Sequence, residues 1–92
     1  MTRIVFLGTP QSAVPTLERL AERFDVGLVV TQPDRPKGRS GTPTPPPVKM
    51  TAQNLGIEVA QPAKSSEIAK SISDNGDFDL GVVVAYGRIL RP

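Results

Sequence analysis

The chain has 92 residues, with 11 Lys and Arg against 9 Asp and Glu, and a net charge of +2 at pH 7. Cysteine and histidine are absent, which excludes a disulfide framework, a thiolate or imidazole metal site and a histidine general base. Three phenylalanines and one tyrosine are too few for a base-stacking platform, and no apolar stretch approaches the roughly 20 residues of a membrane span. We therefore expect one small cytoplasmic domain without a metal or a membrane segment.

The first half of the chain alternates strand and helix patterns. Residues 3–7 are rich in β-branched and aromatic side chains and predict a buried strand. Apolar residues then recur at helical spacing, at Ala13, Leu17, Leu20 and Phe24. They predict one apolar face of a helix, for which Thr9 or Ser12 would be the N-cap. Residues 26–31 predict the second strand.

The second half repeats this alternation after a proline-rich interruption. Residues 47–56 predict a short helix that a proline opens and a glycine ends, and residues 57–60 predict a weak third strand. Residues 65–76 predict a helix with a serine N-cap and an Asn-Gly end. Residues 79–85 contain three consecutive valines, which is typical of a parallel strand covered on both faces.

Alternating strands and helices indicate right-handed crossovers and a parallel sheet. We predict an α/β fold with a Rossmann-like open sheet, strand order 3-2-1-4, flanked by helices. Ligands of such sheets bind beyond the carboxyl ends of the strands. Three segments leave strands at that edge and should converge on one cleft, namely residues 8–12, 32–47 and 86–92.

The first of these segments begins with Gly8, Thr9 and Pro10. It leads into a helix N-terminus, where free backbone N–H groups favour an anion. With one glycine, however, it is neither a dinucleotide fingerprint nor a Walker A sequence. A structural turn that lines the cleft is therefore favoured over a nucleotide site.

Residues 31–49, called the proline-rich segment below, hold six of the ten prolines. Their cations are Arg35, Lys37, Arg39 and Lys49. A single acid, Asp34, opposes them. A loop of this length in so small a domain favours a function, and its charge fits contact with phosphates or RNA. An inert surface loop stiffened by proline remains an equal alternative.

The last segment contains Tyr86, Gly87, Arg88, Ile89 and Leu90. Its apolar residues could simply continue the core, with glycine allowing a turn. Alternatively, they could form a pocket rim in which apolar side chains hold a flat ligand and backbone groups recognise its edge.

Together these stretches resemble the methionyl-tRNA formyltransferase family. The matching residues are 3–10, 13–15, 29–36, 38–39, 47–49 and 82–90. They span nearly the whole chain in order, and Thr-Gln-Pro-Asp-Arg-Pro at residues 31–36 is the most specific. The resemblance implies an enzyme that transfers a formyl group from 10-formyltetrahydrofolate to the amino group of methionyl initiator tRNA, without a metal and without DNA as a partner.

The resemblance also implies roles for the candidate loops. Arg39 matches a family arginine that approaches the tRNA acceptor end, and Lys37 and Arg35 are further tRNA candidates. Residues 41–43 are Gly-Thr-Pro where the family commonly has two lysines and a leucine.

For the last segment, the resemblance implies a folate site. Tyr86, Gly87, Arg88, Ile89 and Leu90 would frame the pterin ring through backbone polar groups and the Ile89 and Leu90 side chains. Arg88 matches a variant found in the related glycinamide ribonucleotide transformylases.

The family's catalytic asparagine, histidine and aspartate lie downstream of this segment. Because the chain has no histidine, we expect no complete catalytic constellation in it. Residues 1–92 are predicted to be the N-terminal portion of a formyltransferase catalytic domain, inactive alone, with the rest of that domain and a C-terminal domain absent. The alternatives are a folate-dependent formyltransferase acting on a nucleotide sugar or glycinamide ribonucleotide, or a non-catalytic nucleotide- or RNA-binding domain.

Overall fold

A computed structural model describes residues 2–36 and 43–84. In chain order, its elements are β1 (Arg3–Gly8), a 3-10 turn (Gln11–Ala13), α1 (Val14–Arg23), β2 (Asp25–Val30), β3 (Arg35–Pro36), β4 (Pro43–Thr44), α2 (Pro47–Asn54), β5 (Val59–Ala60), a second 3-10 turn (Ser65–Glu67), α3 (Ile68–Asp74) and β6 (Leu80–Val84).

The main sheet has four parallel strands in the order β5-β2-β1-β6. Counted along the chain, these are its third, second, first and fourth strands. The predicted Rossmann-like open sheet of order 3-2-1-4 is therefore confirmed.

The central strand β1 is buried on both faces. Ile4 and Phe6 pack with α1 and α2 on one face, whereas Val5 and Leu7 pack with α3 on the other. Burial on both faces explains why β1 has no polar residue between Ile4 and Leu7.

The predicted helix between the first two strands is present, but its cap differs. α1 begins at Val14, after the 3-10 turn, and neither the turn nor the helix has a side-chain cap hydrogen bond. Ser12 lies inside the turn, and the Thr9 hydroxyl accepts a hydrogen bond from the Gln32 N–H at 3.3 Å instead. The prediction that Phe24 belongs to the apolar face of this helix is wrong. Phe24 has an extended backbone beyond the end of α1, and its side chain is exposed.

The next helix and strand are shorter than predicted. α2 ends at Asn54, and Leu55 is exposed beyond it. Gly56 has φ +75, a left-handed conformation that glycine adopts at little cost, so it follows the helix end as predicted. The weak third strand is confirmed, but only over Val59–Ala60.

α3 also begins later than its serine cap predicted. Residues 65–66 lie in the second 3-10 turn, and α3 has no side-chain cap hydrogen bond. The Glu67 carboxylate accepts a hydrogen bond from the Lys64 N–H at 3.1 Å, so a glutamate rather than a serine satisfies a backbone donor there.

The prediction that the last strand is covered on both faces is wrong for the described residues. Val82 and Val84 pack against the core on the α1 and α2 side. Val83 lies on the opposite face and is exposed, because the apolar cluster on the α3 side centres on β1 and β2. Leu80, the first residue of β6, is also exposed.

The proline-rich segment contains structure that its sequence did not predict. β3 and β4 pair antiparallel, with Arg35 opposite Thr44 and Pro36 opposite Pro43. Proline is compatible with such an isolated ribbon because its fixed φ suits an extended chain and a missing N–H is tolerated at an edge.

Candidate site at the carboxyl edge of the sheet

The carboxyl ends of the parallel strands bring several polar residues together. The backbone N–H of Gln32, after β2, donates to the Thr9 hydroxyl, after β1, at 3.3 Å. The Gln32 carbonyl accepts hydrogen bonds from Thr31 Oγ1 at 3.0 Å and from Gln61 Nε2, after β5, at 3.1 Å. Three strand ends are therefore joined by side-chain hydrogen bonds at one edge.

Asp34 receives hydrogen bonds from two side chains at this edge. Its carboxylate oxygens lie 3.1 and 3.2 Å from Lys49 Nζ. Gln61 Nε2 donates to the same carboxylate at 2.7 Å. The pair is partly shielded, because the side chains of Lys49 and Asp34 are 19% and 30% exposed.

These contacts keep the carboxylate charged. The hydrogen bond from Gln61 lowers the pKa of Asp34 below the ordinary aspartate value of 3.8, and Lys49 lowers it further. Partial burial opposes them by raising the pKa, but the net direction is downward. Asp34 is therefore an anion at neutral pH.

The predicted cleft residues Gly8, Thr9 and Pro10 lie at this edge and form a tight structural turn. The Thr9 carbonyl accepts a hydrogen bond from the Val48 N–H at 3.4 Å, which connects the turn to the start of α2. A Cβ on Gly8 would lie 2.9 Å from the Val84 carbonyl oxygen, so close packing requires glycine here. These contacts support the structural interpretation of the turn.

The other predicted site residues are only partly within the described chain. Arg35 begins β3, where it pairs with Thr44. Outside the described residues lie Lys37, Arg39, Tyr86, Gly87, Arg88, Ile89 and Leu90. The described edge therefore brings Thr9 of the first predicted loop and Gln32 of the second together, and the third predicted loop lies outside the described residues.

Two contacts at this edge were missed from the sequence. Gln61 was not singled out, although its position directly after the third strand places it at the carboxyl edge. Lys49 was counted with the loop cations, whereas its ammonium group pairs with Asp34. The only indication of the Lys49–Asp34 pair in the sequence is that Asp34 is the single acid among the cations of the proline-rich segment.

Residues 2–36 and 43–84 contain neither a cluster of metal-binding side chains nor a membrane-spanning helix. No group of three or more acidic side chains in this part of the chain could hold a metal ion. None of its helices is long and apolar enough to cross a membrane.

No family model matches the sequence. Individual relatives, however, match it over almost its full length. The chain is 56% identical over 93 residues to a methionyl-tRNA formyltransferase of Listeria innocua, covering 98% of this chain. It is 52% identical over 92 residues to the one of Heliobacterium modesticaldum, again over 98% of this chain. The Hydrogenobaculum sp. relative of the same name is 49% identical over 88 residues, or 96% of this chain. The chain spans 29% of the length of each of these relatives.

Proposed function

We infer that this chain belongs to the methionyl-tRNA formyltransferases and forms part of a longer enzyme of that family. The observation that carries the assignment is 49 to 56% identity to relatives of that name over 96 to 98% of the chain. The full-length protein transfers a formyl group from 10-formyltetrahydrofolate to the amino group of methionyl initiator tRNA. Residues 1–92 are the N-terminal portion of its catalytic domain, and the enzyme acts in the cytoplasm without a metal.

In this proposal, the carboxyl edge of the sheet is one wall of the substrate cleft. The relatives are named for acting on methionyl-tRNA, and a tRNA acceptor end presents phosphates that cations bind. Arg39 is the main tRNA contact, and Lys37 and Arg35 are further tRNA candidates. Lys49 is not included, because its ammonium group pairs with Asp34.

The folate co-substrate would bind where the chain continues beyond β6. Tyr86, Gly87, Arg88, Ile89 and Leu90 frame the pterin ring, chiefly through backbone polar groups. Val84, the last residue of β6, pairs with Gly8, so β6 ends beside the turn at residues 8–10. That adjacency supports a shared cleft for the two substrates.

The test of this function is formyl transfer by the full-length protein that contains this chain. Arg39→Ala should lower kcat/KM for methionyl-tRNA about 10- to 150-fold, the value of a charge-assisted contact of roughly 1.5 to 3 kcal/mol. The KM for 10-formyltetrahydrofolate should stay within about twofold, because the contact is with tRNA. Arg39→Lys should recover only part, since lysine lacks the planar guanidinium.

Arg19→Ala is the matched control, because Arg19 is an exposed cation on α1. It should leave both substrates' kinetics unchanged. A full-length protein that formylates no methionyl-tRNA would refute the function. Wild-type kinetics in Arg39→Ala would refute only the assigned tRNA contact.

The 92-residue chain alone should be inactive. It contains no histidine, so the histidine of the family's catalytic set must be supplied by the remaining sequence. Loss of a proton-transfer group costs about 10²- to 10⁴-fold in rate, and the other catalytic groups are lost with it. Formyl transfer by the purified chain, above a blank from the same expression host, would contradict this.

A further inference from the structure

One carboxylate joins three separate segments at the carboxyl edge of the sheet. Asp34 directly precedes β3, Lys49 lies in the first turn of α2, and Gln61 directly follows β5. The distances from the carboxylate are 3.1 Å to Lys49 Nζ and 2.7 Å to Gln61 Nε2. We call these three residues the Asp34 clasp.

The ribbon that begins beside this clasp has little stability of its own. β3 and β4 contain two residues each, and Pro36 and Pro43 have no N–H to donate. Arg35 and Thr44 therefore carry the only backbone donors of the ribbon. An isolated two-stranded ribbon is marginally stable at best, even when it is longer than this one. Its position relative to the sheet must depend on contacts at its ends.

The clasp supplies contacts at both ends of the ribbon. Asp34 holds the entrance of β3 against the end of β5 through Gln61, which also donates to the Gln32 carbonyl at 3.1 Å. Lys49 connects the same carboxylate to the helix that follows β4. Partial burial of this ion pair reduces screening by salt, so it restrains the ribbon better than an exposed pair would.

We propose that Asp34 is a positioning residue for tRNA, because it holds the β3–β4 ribbon at the carboxyl edge of the sheet. The tRNA-contacting cations Lys37 and Arg39 of the proposed function lie between β3 and β4 in the sequence. Lys49 anchors Asp34 and does not contact phosphate. The proposal rests on the proposed function, because it assigns a task to residues that act through that tRNA contact.

The experiment measures formyl transfer by the full-length protein with Asp34→Asn, which removes the charge and preserves the size of the side chain. We expect kcat/KM for methionyl-tRNA to fall about 10-fold, because misplaced binding groups lose much of their contribution to the transition state. The KM for 10-formyltetrahydrofolate should stay within about twofold.

Asp74→Asn is the matched control. Asp74 forms an ion pair of nearly the same length, 3.2 Å, with Lys70, but that pair is exposed and joins two residues of α3. The same substitution there should leave the kinetics unchanged. Lys49→Met should reproduce Asp34→Asn, and Lys49→Arg should retain most of the activity because it preserves the cation.

A double-mutant cycle separates positioning from general destabilisation. If Asp34 acts through Arg39, Asp34→Asn should cost little once Arg39 is alanine, so the two losses will be strongly non-additive. Additive losses, equal losses for both substrates, or wild-type kinetics in Asp34→Asn would each overturn the proposal. If Arg39→Ala impairs tRNA use while Asp34→Asn does not, the proposed function stands and the positioning role is wrong.

Discussion

The guanidinium carbon of Arg3 lies 4.3 Å from the ring centroid of Phe78. The same guanidinium donates to the backbone carbonyls of Asp77 at 2.9 Å and Asn75 at 3.0 Å. Arg3 begins β1, and the other residues lie between α3 and β6. One side chain therefore holds the connection that leads into the last strand, at the edge of the sheet opposite the candidate site.

Replacing Arg3 with alanine should destabilise this connection. Two hydrogen bonds from a charged donor and one cation–π contact are lost, and the Arg3 side chain is 34% exposed. We expect a loss of about 1 to 2 kcal/mol in the free energy of unfolding. Thermal unfolding of the full-length protein would measure it, with Arg19→Ala on the exposed side of α1 as the control. Equal melting temperatures for the two variants would contradict this role.

The effect of replacing Gly27 with alanine should depend on the same guanidinium. A Cβ at Gly27 would lie 2.7 Å from Arg3 Nε, so Gly27→Ala would push the Arg3 side chain out of its contacts. We expect Gly27→Ala to destabilise by about 1 kcal/mol in the native background and to be close to neutral beside Arg3→Ala. A double-mutant cycle in thermal unfolding tests this. Additive losses would show that Gly27 is needed for another reason.

The strand order and the main elements could be predicted because β1 and β2 are buried on both faces. Their sequences are therefore short, nearly continuous apolar runs, which indicate buried parallel strands. Helix caps were predicted less well. Thr9 has the side chain of an N-cap, but its hydroxyl accepts a hydrogen bond from Gln32 in the next strand's loop. Thr9 and Gln32 are 23 residues apart, so no local pattern in the sequence indicates that they form a hydrogen bond.

The same reason explains the incomplete prediction of the candidate site. The loops at the carboxyl edge followed from the strand order, whereas the Asp34 clasp depends on separations of 15 and 27 residues. The exposure of Val83 depends on where α3 lies over the sheet, and the three consecutive valines carry no information about that. The sequence pattern therefore predicts the order of the strands, but it does not predict which distant side chains pair.

Gly8 and Gly81 should respond in opposite ways to alanine. A Cβ on Gly8 would lie 2.9 Å from the Val84 carbonyl oxygen, which belongs to the backbone of the paired strand and cannot move aside. Gly8→Ala should therefore cost about 1 to 3 kcal/mol through overpacking.

At Gly81, the nearest atom to a new Cβ is Val5 Cγ1 at 3.6 Å, an ordinary contact. Gly81→Ala should be neutral or stabilise by up to roughly 1 kcal/mol, because glycine is unfavourable inside a strand. Melting temperatures of the two full-length variants make the comparison. A destabilised Gly81→Ala, or a native-like Gly8→Ala, would argue against this packing of β1 and β6.

The contribution of Asp34 to stability should depend on pH in a defined direction. The pKa of Asp34 is lowered in the folded chain, first by the Gln61 hydrogen bond and then by Lys49. A lowered folded-state pKa stabilises the protein above the unfolded-state pKa, and this stabilisation is lost as the pH falls through the folded-state value.

The difference in melting temperature between native protein and Asp34→Asn should therefore be constant from about pH 6 to 8, and it should shrink as the pH falls below about 5, where an ordinary aspartate in the unfolded chain begins to protonate. A series of melts at fixed ionic strength would measure this. A difference that disappears between pH 5 and 7 would mean that the pKa of Asp34 is raised instead.

The outer side of β6 should make the isolated chain self-associate. Among the described residues, β6 pairs only with β1, and Val83 is 56% exposed. Unpaired backbone groups next to three uncharged valines favour pairing with another chain. Light scattering of the purified 92-residue chain should therefore show oligomers that grow with concentration.

Val83→Lys should reduce these oligomers, because an edge lysine opposes strand addition. Gln53→Lys is the control, because it adds the same charge at an exposed position on α2 and should leave the oligomers unchanged. In the full-length protein, we expect the remaining sequence to cover this edge, so Val83→Lys should lower its melting temperature. A monomeric isolated chain, or equal effects of the two lysines, would contradict the open edge.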